Sequence, residues 1–425
     1  MYKKIFRLLD LAVGILFFPF WIFLLINLFL FKSLLIKKND NILVFSWHPI
    51  TMYSTLALAL KTPNRKVQSV SKTFFSKIQS GNEWDILIDK SFRFCPLSIK
   101  LMLFFLIFLR QFDIYIISCD GFLFGLTPLG RFEKIIFTMF NKKTIVIPYG
   151  GDAYVYKRVS SPLRAHGLQL SYPDASRNQK NISKRVDYWV KNADLFIPGV
   201  MFFDGYGRWD VLIPSTIFLD INNILPSNRK SLANGSDETV FVTHSPNHRG
   251  VKGTQFIIDA VKSLKEEGLK VELILTEGMQ NSDLFKVYEH DSDIHVDQLL
   301  LSATGINGLE AMASGLPLIS NTEPIEQYQL LKDFSYFDEC PVFSANPNSI
   351  IDALRILIEN PDLRLELGKA GRKYTEKYHS FQSAKIFFNS CLEYLLHDGD
   401  HPQIYFEKRI LDSNKIKNPL KNIIQ

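Results

Sequence analysis

Few of the 425 residues in this chain offer a covalent or metal crosslink. The four cysteines, Cys95, Cys119, Cys340 and Cys391, have no paired spacing. That excludes a disulfide framework and reads as reduced core thiols of a cytosolic catalytic portion. Nine histidines show no ligand spacing of the metalloprotease kind. His244 and His248 are four apart, but Pro246 between them argues against a shared helical face, so no metal is expected. Charge of one sign is also scarce. A net charge of +6 is too mild for a dedicated nucleic-acid surface, though it suits a face resting on anionic lipid. No internal repeat is visible beyond two successive αβ series. What is present is apolar: 47% hydrophobic against 22% charged residues allows ordered cores, and the length allows two or three domains.

The N-terminus is a membrane element by composition. Leu11 to Phe31 carries no charge. Such a run, wound as a helix, reaches about 32 Å, enough for a hydrocarbon core of roughly 30 Å. No small-residue cleavage site follows it, which argues against a cleaved signal peptide. Lys3, Lys4 and Arg7 precede the run, and Lys32, Lys37 and Lys38 follow it. With both flanks basic, the positive-inside rule selects no direction. Pro19 in mid-run is expected to break or kink a helix, so a spanning helix and a re-entrant hairpin both stand. The start, KKIFRLLDLAVGILFFP, resembles the re-entrant membrane helix of bacterial phosphoglycosyl transferases.

Residues 1–38 are therefore read as an anchor, and an αβ pattern follows. Asn41–Ser46, Val67–Ser71, Asp113–Ser118, Thr144–Pro148 and Leu195–Pro198 predict strands of a buried parallel sheet, over a first domain at 39–222. Ser98–Arg110, unusually greasy, is either a core helix or one dipping into the bilayer surface. The turn-rich stretch 223–237 reads as a linker. Strands at Thr239–His244, Lys270–Thr276, Asp293–Val296 and Leu316–Ser320 predict a second domain, 238–396, closed by helices from Ser349 to Leu396. The polar tail, 397–425, with Lys408, Arg409, Lys415, Lys417 and Lys421, is left without expected structure. In sheets of this kind ligands bind beyond the C-terminal ends of strands, so the loops after strands carry the information.

The most telling of these is Thr304–Ser320, TGINGLEAMASGLPLIS. Gly305 and Gly308 open a short helix, Glu310 lies one turn in, Gly315 stops it, and an apolar strand follows. A helix N-terminus free of bulky side chains presents N–H groups and positive dipole to a phosphate. A carboxylate one turn on can hold ribose or sugar hydroxyls. The bland alternative is an ordinary helix with glycine just past its end. A second loop, SPNHRGVKGTQ, brings Arg249 and Lys252 after the strand ending at His244; alone it would be a solvated basic loop.

The string Glu310, Ala311, Met312, Ala313, Gly315, Pro317 resembles the donor-binding Glu-Ala-Met-Ala-x-Gly-x-Pro motif of GT-B glycosyltransferases of the group 1, family 4-like type. Lys252-Gly253 resembles that family's loop whose lysine meets the donor diphosphate, although Arg249 departs from the common Gly-Arg-x(4)-Lys-Gly spacing. The resemblance covers roughly Glu238–Leu396, and the N-terminal half only loosely. It implies an α/β fold of two Rossmann-like parallel-sheet domains facing a cleft. The implied reaction is metal-independent transfer, with retention, from a nucleotide sugar that is co-substrate rather than cofactor. The implied donor contacts are Lys252 and Arg249 on the diphosphate, where they stabilise the leaving group, the loop of Gly305, Asn307 and Gly308 capping it, and Glu310 on the ribose. His244, at the end of a neighbouring strand, joins them; Asp297 and Gln298, which resemble the Asp-Gln that a subset of the family carries before this loop, either orient the loop or contact the donor. One departure matters. The family carries a glutamate eight positions before Glu310, where this chain has Ser302. That loss weakens the expectation of retention.

In the N-terminal half IPYGGDAYVY follows a strand, and its Gly150, Gly151 and Asp152 resemble a Gly-x-Asp loop near acceptor and reacting sugar. Asp152 is expected as a general base or hydroxyl anchor; the alternative is a turn held by an Asx bond. Asp120 and His48 follow strands and are candidates by position. Arg158, Arg164 and His166 would meet a pyrophosphate-linked acceptor or form a basic surface.

The expectation is thus a membrane-associated glycosyltransferase of bacterial envelope polysaccharide type. It would act at the inner membrane with its catalytic domains in the cytoplasm, on a lipid-linked or glycan acceptor such as capsule or O-antigen, without nucleic acid. A catalytically silent glycosyltransferase-like subunit, or a nucleotide-sugar epimerase of the same fold, are the alternatives.

Overall fold

A computed structural model describes residues 2–35, 39–75, 81–92, 94–229, 232–323, 325–410 and 415–422. Lys37 and Lys38 of the anchor, and Lys230 and Ser231 of the turn-rich stretch, lie outside the described residues. So do the side chains of Lys3, Lys4, Arg7, Lys408 and Arg409. The chain forms two compact units. The first comprises Met1–Ala153, Lys180–Pro198 and Tyr206–Asp210; the second comprises Tyr154–Gln179, Gly199–Gly205 and Val211–Gln425.

In the first unit short runs rich in Ile and Val form β1 (Ile42–Ser46), β2 (Val67–Ser71), β3 (Ile86–Leu87), β4 (Ile114–Ile117), β5 (Lys143–Val146) and β6 (Leu195–Phe196). Every residue of β1 and β4 is buried, as strands covered on both faces must be. All pairs are parallel, in the order β3-β2-β1-β4-β5-β6. The order reverses between β1 and β4, so the loops after those strands flank the unit's switch point. The helices that matter are α1 (Tyr2–Leu30), α2 (Thr51–Leu60), α3 (Leu97–Gln111), α4 (Glu133–Met139) and, after α5 (Pro162–Ser171) of the second unit, α6 (Gln179–Asn192). The greasy α3 is a core helix: Leu101, Met102, Phe104, Phe105, Phe108 and Leu109 are buried. Phe105 packs on Phe122, Phe124 and Phe137 at ring distances of 5.5, 5.0 and 5.8 Å. Each such pair contributes roughly 0.5–1.5 kcal/mol beyond area burial.

The expected break at Pro19 does not occur. Helix α1 runs unbroken through it, and the re-entrant reversal is absent. Proline deletes one N–H, but the turns on either side are pinned, Gly14 against Ser98 and Trp21 against α3.

The second unit holds α5 (Pro162–Ser171), β7 (Val240–His244), α7 (Arg249–Lys252), α8 (Thr254–Glu266), β8 (Val271–Leu275), α9 (Asn281–His290), β9 (Ile294–Val296), α10 (Ile306–Ala313), β10 (Leu318–Ser320), β11 (Phe343–Ser344), α11 (Ile350–Glu359), α12 (Pro361–Tyr378) and α13 (Phe381–Leu396). Its strands are parallel in the order β11-β10-β9-β7-β8. The switch point is therefore between β7 and β9. Val240 and Val242 of β7, Ile294 and Val296 of β9, and Ile319 of β10 share one core with Ile257 and Leu264 of α8 and Leu354 and Leu357 of α11.

Three findings depart from expectation. Helix α5 packs with the second unit, where the buried Arg164 pairs with Asp204 and Gly167 rests on Leu300. The turn-rich stretch is fastened rather than free: Arg229 Nε donates to Asp293 at 2.7 Å, and buried Ala233 joins the core. The described part of the polar tail is also packed on the unit, because Phe406 and Leu420 are buried and Asn418 Nδ2 donates to the Cys340 carbonyl at 2.9 Å.

Candidate functional site

The switch point of the second unit gathers most of the residues singled out in sequence. At the end of β7, His244 is fully buried. Its Nδ1 donates to the Val296 carbonyl at 2.7 Å, which leaves Nε2 to accept from the Thr254 hydroxyl at 2.9 Å. Burial pushes its pKa down to about 4, so the ring is neutral. Both nitrogens being engaged, His244 ties β7 to β9 and to the start of α8. It offers no free group to a ligand, contrary to its expected donor role.

Lys252 closes α7 and is buried. Its Nζ pairs with Asp297 Oδ1 and donates to Gln298 Oε1 at 3.0 Å. An ammonium has three N–H groups, so one remains beyond these two partners. Burial alone would raise the Asp297 carboxyl, but Lys252 and the Gly305 N–H bring it below the usual carboxylate range. That N–H donates to Asp297 Oδ2 at 2.5 Å. The glycines of the loop therefore serve as clearance for Asp297, since a Cβ on Gly308 would stand 2.7 Å from the same oxygen. Arg249, by contrast, is exposed and held by Glu277, with Nη2 to Oε2 at 2.8 Å.

Helix α10 carries Glu310. Asn307 fixes its first turn by donating from Nδ2 to the Ser245 carbonyl at 2.8 Å. Gly315, at φ +77°, ends it in the left-handed conformation that only glycine adopts without strain. Arg372 Nη1 donates to the Ala313 carbonyl at 2.6 Å. The Glu310 carboxyl is buried, and its Oε2 has no partner among the described residues. Burial, reinforced by Asp297, pushes it up to about 8. A buried carboxyl oxygen without a partner is costly.

Several members of this site gave no signal in sequence. Ala303 sits at φ +122°, a strained backbone for a residue with a Cβ, costing about 1–3 kcal/mol. Its carbonyl accepts from Gln298 Nε2 at 2.7 Å and from Ser320 Oγ at 2.6 Å, which over-determines it. Ser302, marked in sequence only as the departure from the family's glutamate, donates to the Glu323 carbonyl and lies 3.2 Å from the Tyr328 hydroxyl, so it anchors the loop. Ser171 at the end of α5 accepts from the Val251 N–H at 2.7 Å and so braces the lysine-bearing α7. The Asp-x-Asp triplet Asp291 to Asp293 is not part of the site. Asp293 accepts from Arg229 and from the Phe241 N–H at 2.9 Å, before β9 begins and so at the end of the strand away from this site. No cluster of three metal-type ligands occurs among the described residues.

At the switch point of the first unit Asp152 is 1% exposed. It accepts backbone N–H groups from Cys119 at 2.8 Å and from Tyr149 and Gly150 at 3.0 Å. Burial and then Asp120 push it up to about 7. Its geometry is that of a clamp between the loops after β4 and β5. Asp120, also buried, accepts from Arg185 Nη2 at 2.9 Å and the Tyr149 hydroxyl at 3.1 Å. His48 Nε2, on a half-exposed side chain after β1, lies 3.9 Å from Asp120 Oδ2. His48, Asp120, Gly150 and Asp152 are thus brought together. Arg164 is not among them, being consumed by Asp204 in the second unit.

No family model matches the chain, and no curated protein matches it. Solved structures do. Sucrose-phosphate synthase from Thermosynechococcus elongatus aligns with a TM-score of 0.56 at 14% identity, over 85% of this chain and 100% of that one. Anabaena HepE in complex with UDP and glucose aligns with a TM-score of 0.52 at 11% identity, over 83% and 99%. An alpha-glucosyltransferase in complex with UDP and DNA aligns with a TM-score of 0.51 at 11% identity, over 84% and 100%. With two parallel α/β sheets, each with its polar cluster at a switch point, the chain has the GT-B fold of these glycosyltransferases.

Proposed function

We propose that this protein is a membrane-associated, metal-independent glycosyltransferase. It moves a sugar from a UDP- or GDP-linked donor to a lipid-linked or envelope glycan acceptor. The unpartnered, buried carboxyl of Glu310 at the β7/β9 switch point carries the reading. Ribose hydroxyls donating to it would satisfy that acceptor. Lys252, with one N–H to spare, and the start of α10 lie at the same switch point, suited to a diphosphate whose negative charge grows as the donor bond breaks. Removing one such donor costs about 3–4 kcal/mol of barrier. Arg249 would swing from Glu277 to assist. In the first unit the acceptor hydroxyl would meet His48, with Asp120 orienting its ring and Asp152 holding the loops. Transfer with retention is part of the proposal, read from the anomeric configuration of the product. Location at the inner membrane with the catalytic units in the cytoplasm completes it.

A silent glycosyltransferase-like subunit is the second reading, because Asp297 already occupies Lys252 and the Gly305 N–H. The test is to incubate membranes with radiolabelled nucleotide sugars and follow transfer to lipid extract, alongside calorimetry with UDP and GDP sugars. Transfer that Lys252→Ala abolishes in a folded protein supports the enzyme. Binding without transfer supports the silent subunit, and neither binding nor transfer ends both readings.

A further inference from the structure

We propose that α1 lies in the plane of the membrane surface, one flank on the first unit and the other in anionic lipid, neither crossing the bilayer nor turning back within it. This rests on the membrane association proposed above. The helix is fastened to the protein along its whole apolar length. Ser98 Oγ donates to the Asp10 carbonyl at 2.9 Å, and a Cβ on Gly14 would come within 2.7 Å of the Ser98 side chain. Trp21, 2% exposed, donates from Nε1 to the Met102 carbonyl at 2.8 Å and packs edge-on against Phe105 and Phe124. Phe29 meets Phe140 at 5.7 Å, and Lys32 Nζ donates to the Met139 carbonyl at 3.0 Å. From Asp10 to Phe29 these contacts cover roughly 29 Å of helix, close to the hydrocarbon thickness. A crossing helix would have to shed all of them, or draw α3 and the buried Lys100 and Asp113 into lipid.

The opposite flank is bare. Leu8, Leu11 and Ile15, and then Leu16, Phe23 and Leu30, are each more than half exposed, Leu16 at 80%, two rows spaced by three, four and seven residues on one side of the helix. The exposed Ile135 and Met139 of α4 extend the patch where Lys32 meets the end of that helix. Asn27, an amide within this stretch, donates to its own helix at Phe23. A protein interface carries a hydrogen-bonding rim, whereas a continuous apolar stripe of this size suits lipid. Lys3, Lys4 and Arg7 precede the stripe in sequence, and Lys32, Lys37 and Lys38 follow it, complementing anionic headgroups at both ends.

The full chain, in a Cys95→Ser background, is labelled with an environment-sensitive fluorophore at Leu8→Cys, Leu16→Cys, Phe23→Cys or Leu30→Cys in turn. Each is floated with vesicles of phosphatidylcholine alone or with one-fifth phosphatidylglycerol. Brominated lipids then read the depth of each label. The expected result is binding severalfold greater with the anionic lipid, equal shallow depth at all four sites, and quenching of both ends from one side only. Deep labels at 16 and 23, with the two ends quenched from opposite faces, would overturn the in-plane arrangement while leaving membrane binding intact. Failure to float with either vesicle would remove the membrane reading itself, and a stable dimer without lipid would assign the stripe to a second copy. As a second variant, L16S/F23S changes only exposed positions. It should lose most vesicle binding while calorimetric donor binding is unchanged, and retained binding would count against the proposal.

Discussion

Glu310 condenses the chemistry of the chain into one carboxyl. Its pKa stands at about 8 when folded, above the ordinary value of 4.5, because of burial and then Asp297. The folded protein therefore keeps a proton that the unfolded chain releases. The stability this supplies is complete below pH 4.5 and is lost as pH rises through about 8. Glu133, at about 8, and Asp152, at about 7, act with the same sign, both chiefly through burial. The buried His244, at about 4, and His295, at about 3, have the opposite sign and weaken the fold as pH falls below 6.5. Melting temperature should accordingly fall from pH 6.5 to 9 in the free protein. Glu310→Gln should flatten part of that fall, whereas an unchanged slope across a pH series of thermal melts would refute the assignment. Saturating nucleotide sugar should reduce the slope in the wild type alone, since hydroxyls donating to Glu310 favour its ionised form.

Among the elements, the β9–α10 segment shows what sequence can and cannot convey. The helix, its stop at Gly315 and the buried carboxylate were legible, because an apolar helix, a glycine and a strand each obey a local rule. The purpose of Gly305 and Gly308 was not. They read as a bare phosphate cradle, and in the fold they make room for Asp297, a contact between residues eight and eleven apart that no local period reports. Gly308→Ala should cost about 1–3 kcal/mol by overpacking. It should also weaken nucleotide binding through the displaced Asp297–Lys252 pair, measurable by urea unfolding together with calorimetry. Strands β3 and β11, two residues each, were too short to show a pattern. The tail was missed because its buried anchors, Phe406 at the end of the short run Ile404–Phe406 and the lone Leu420, are brief apolar breaks in a polar stretch. Arg164 was read as a surface or ligand cation because composition does not announce a buried arginine paired with Asp204.

At the scale of the molecule that pair is a test of how the second unit is assembled. Both side chains are about 1% exposed, and they join two segments, around residues 164 and 204, that no backbone ladder connects. Arg164→Met should destabilise the unit by about 3–5 kcal/mol, because it leaves a buried carboxylate unpaired. Arg164→Met with Asp204→Leu should recover much of the loss. Equal denaturation midpoints for the single and double variants would show that the pair's charge is not what matters. The fold class was legible because two αβ series are a global pattern, but the route of the chain was not. It passes between units at 153/154, 179/180, 198/199, 205/206 and 210/211. That route sets a timetable for synthesis. Ser171 leaves the ribosome 80 residues ahead of Val251, whose N–H it receives. At about 5–20 residues per second, α5 waits roughly 4–16 s for its partner. The first unit is already complete by then, and a nascent chain stalled before Arg249 should expose α5 to added protease until translation resumes.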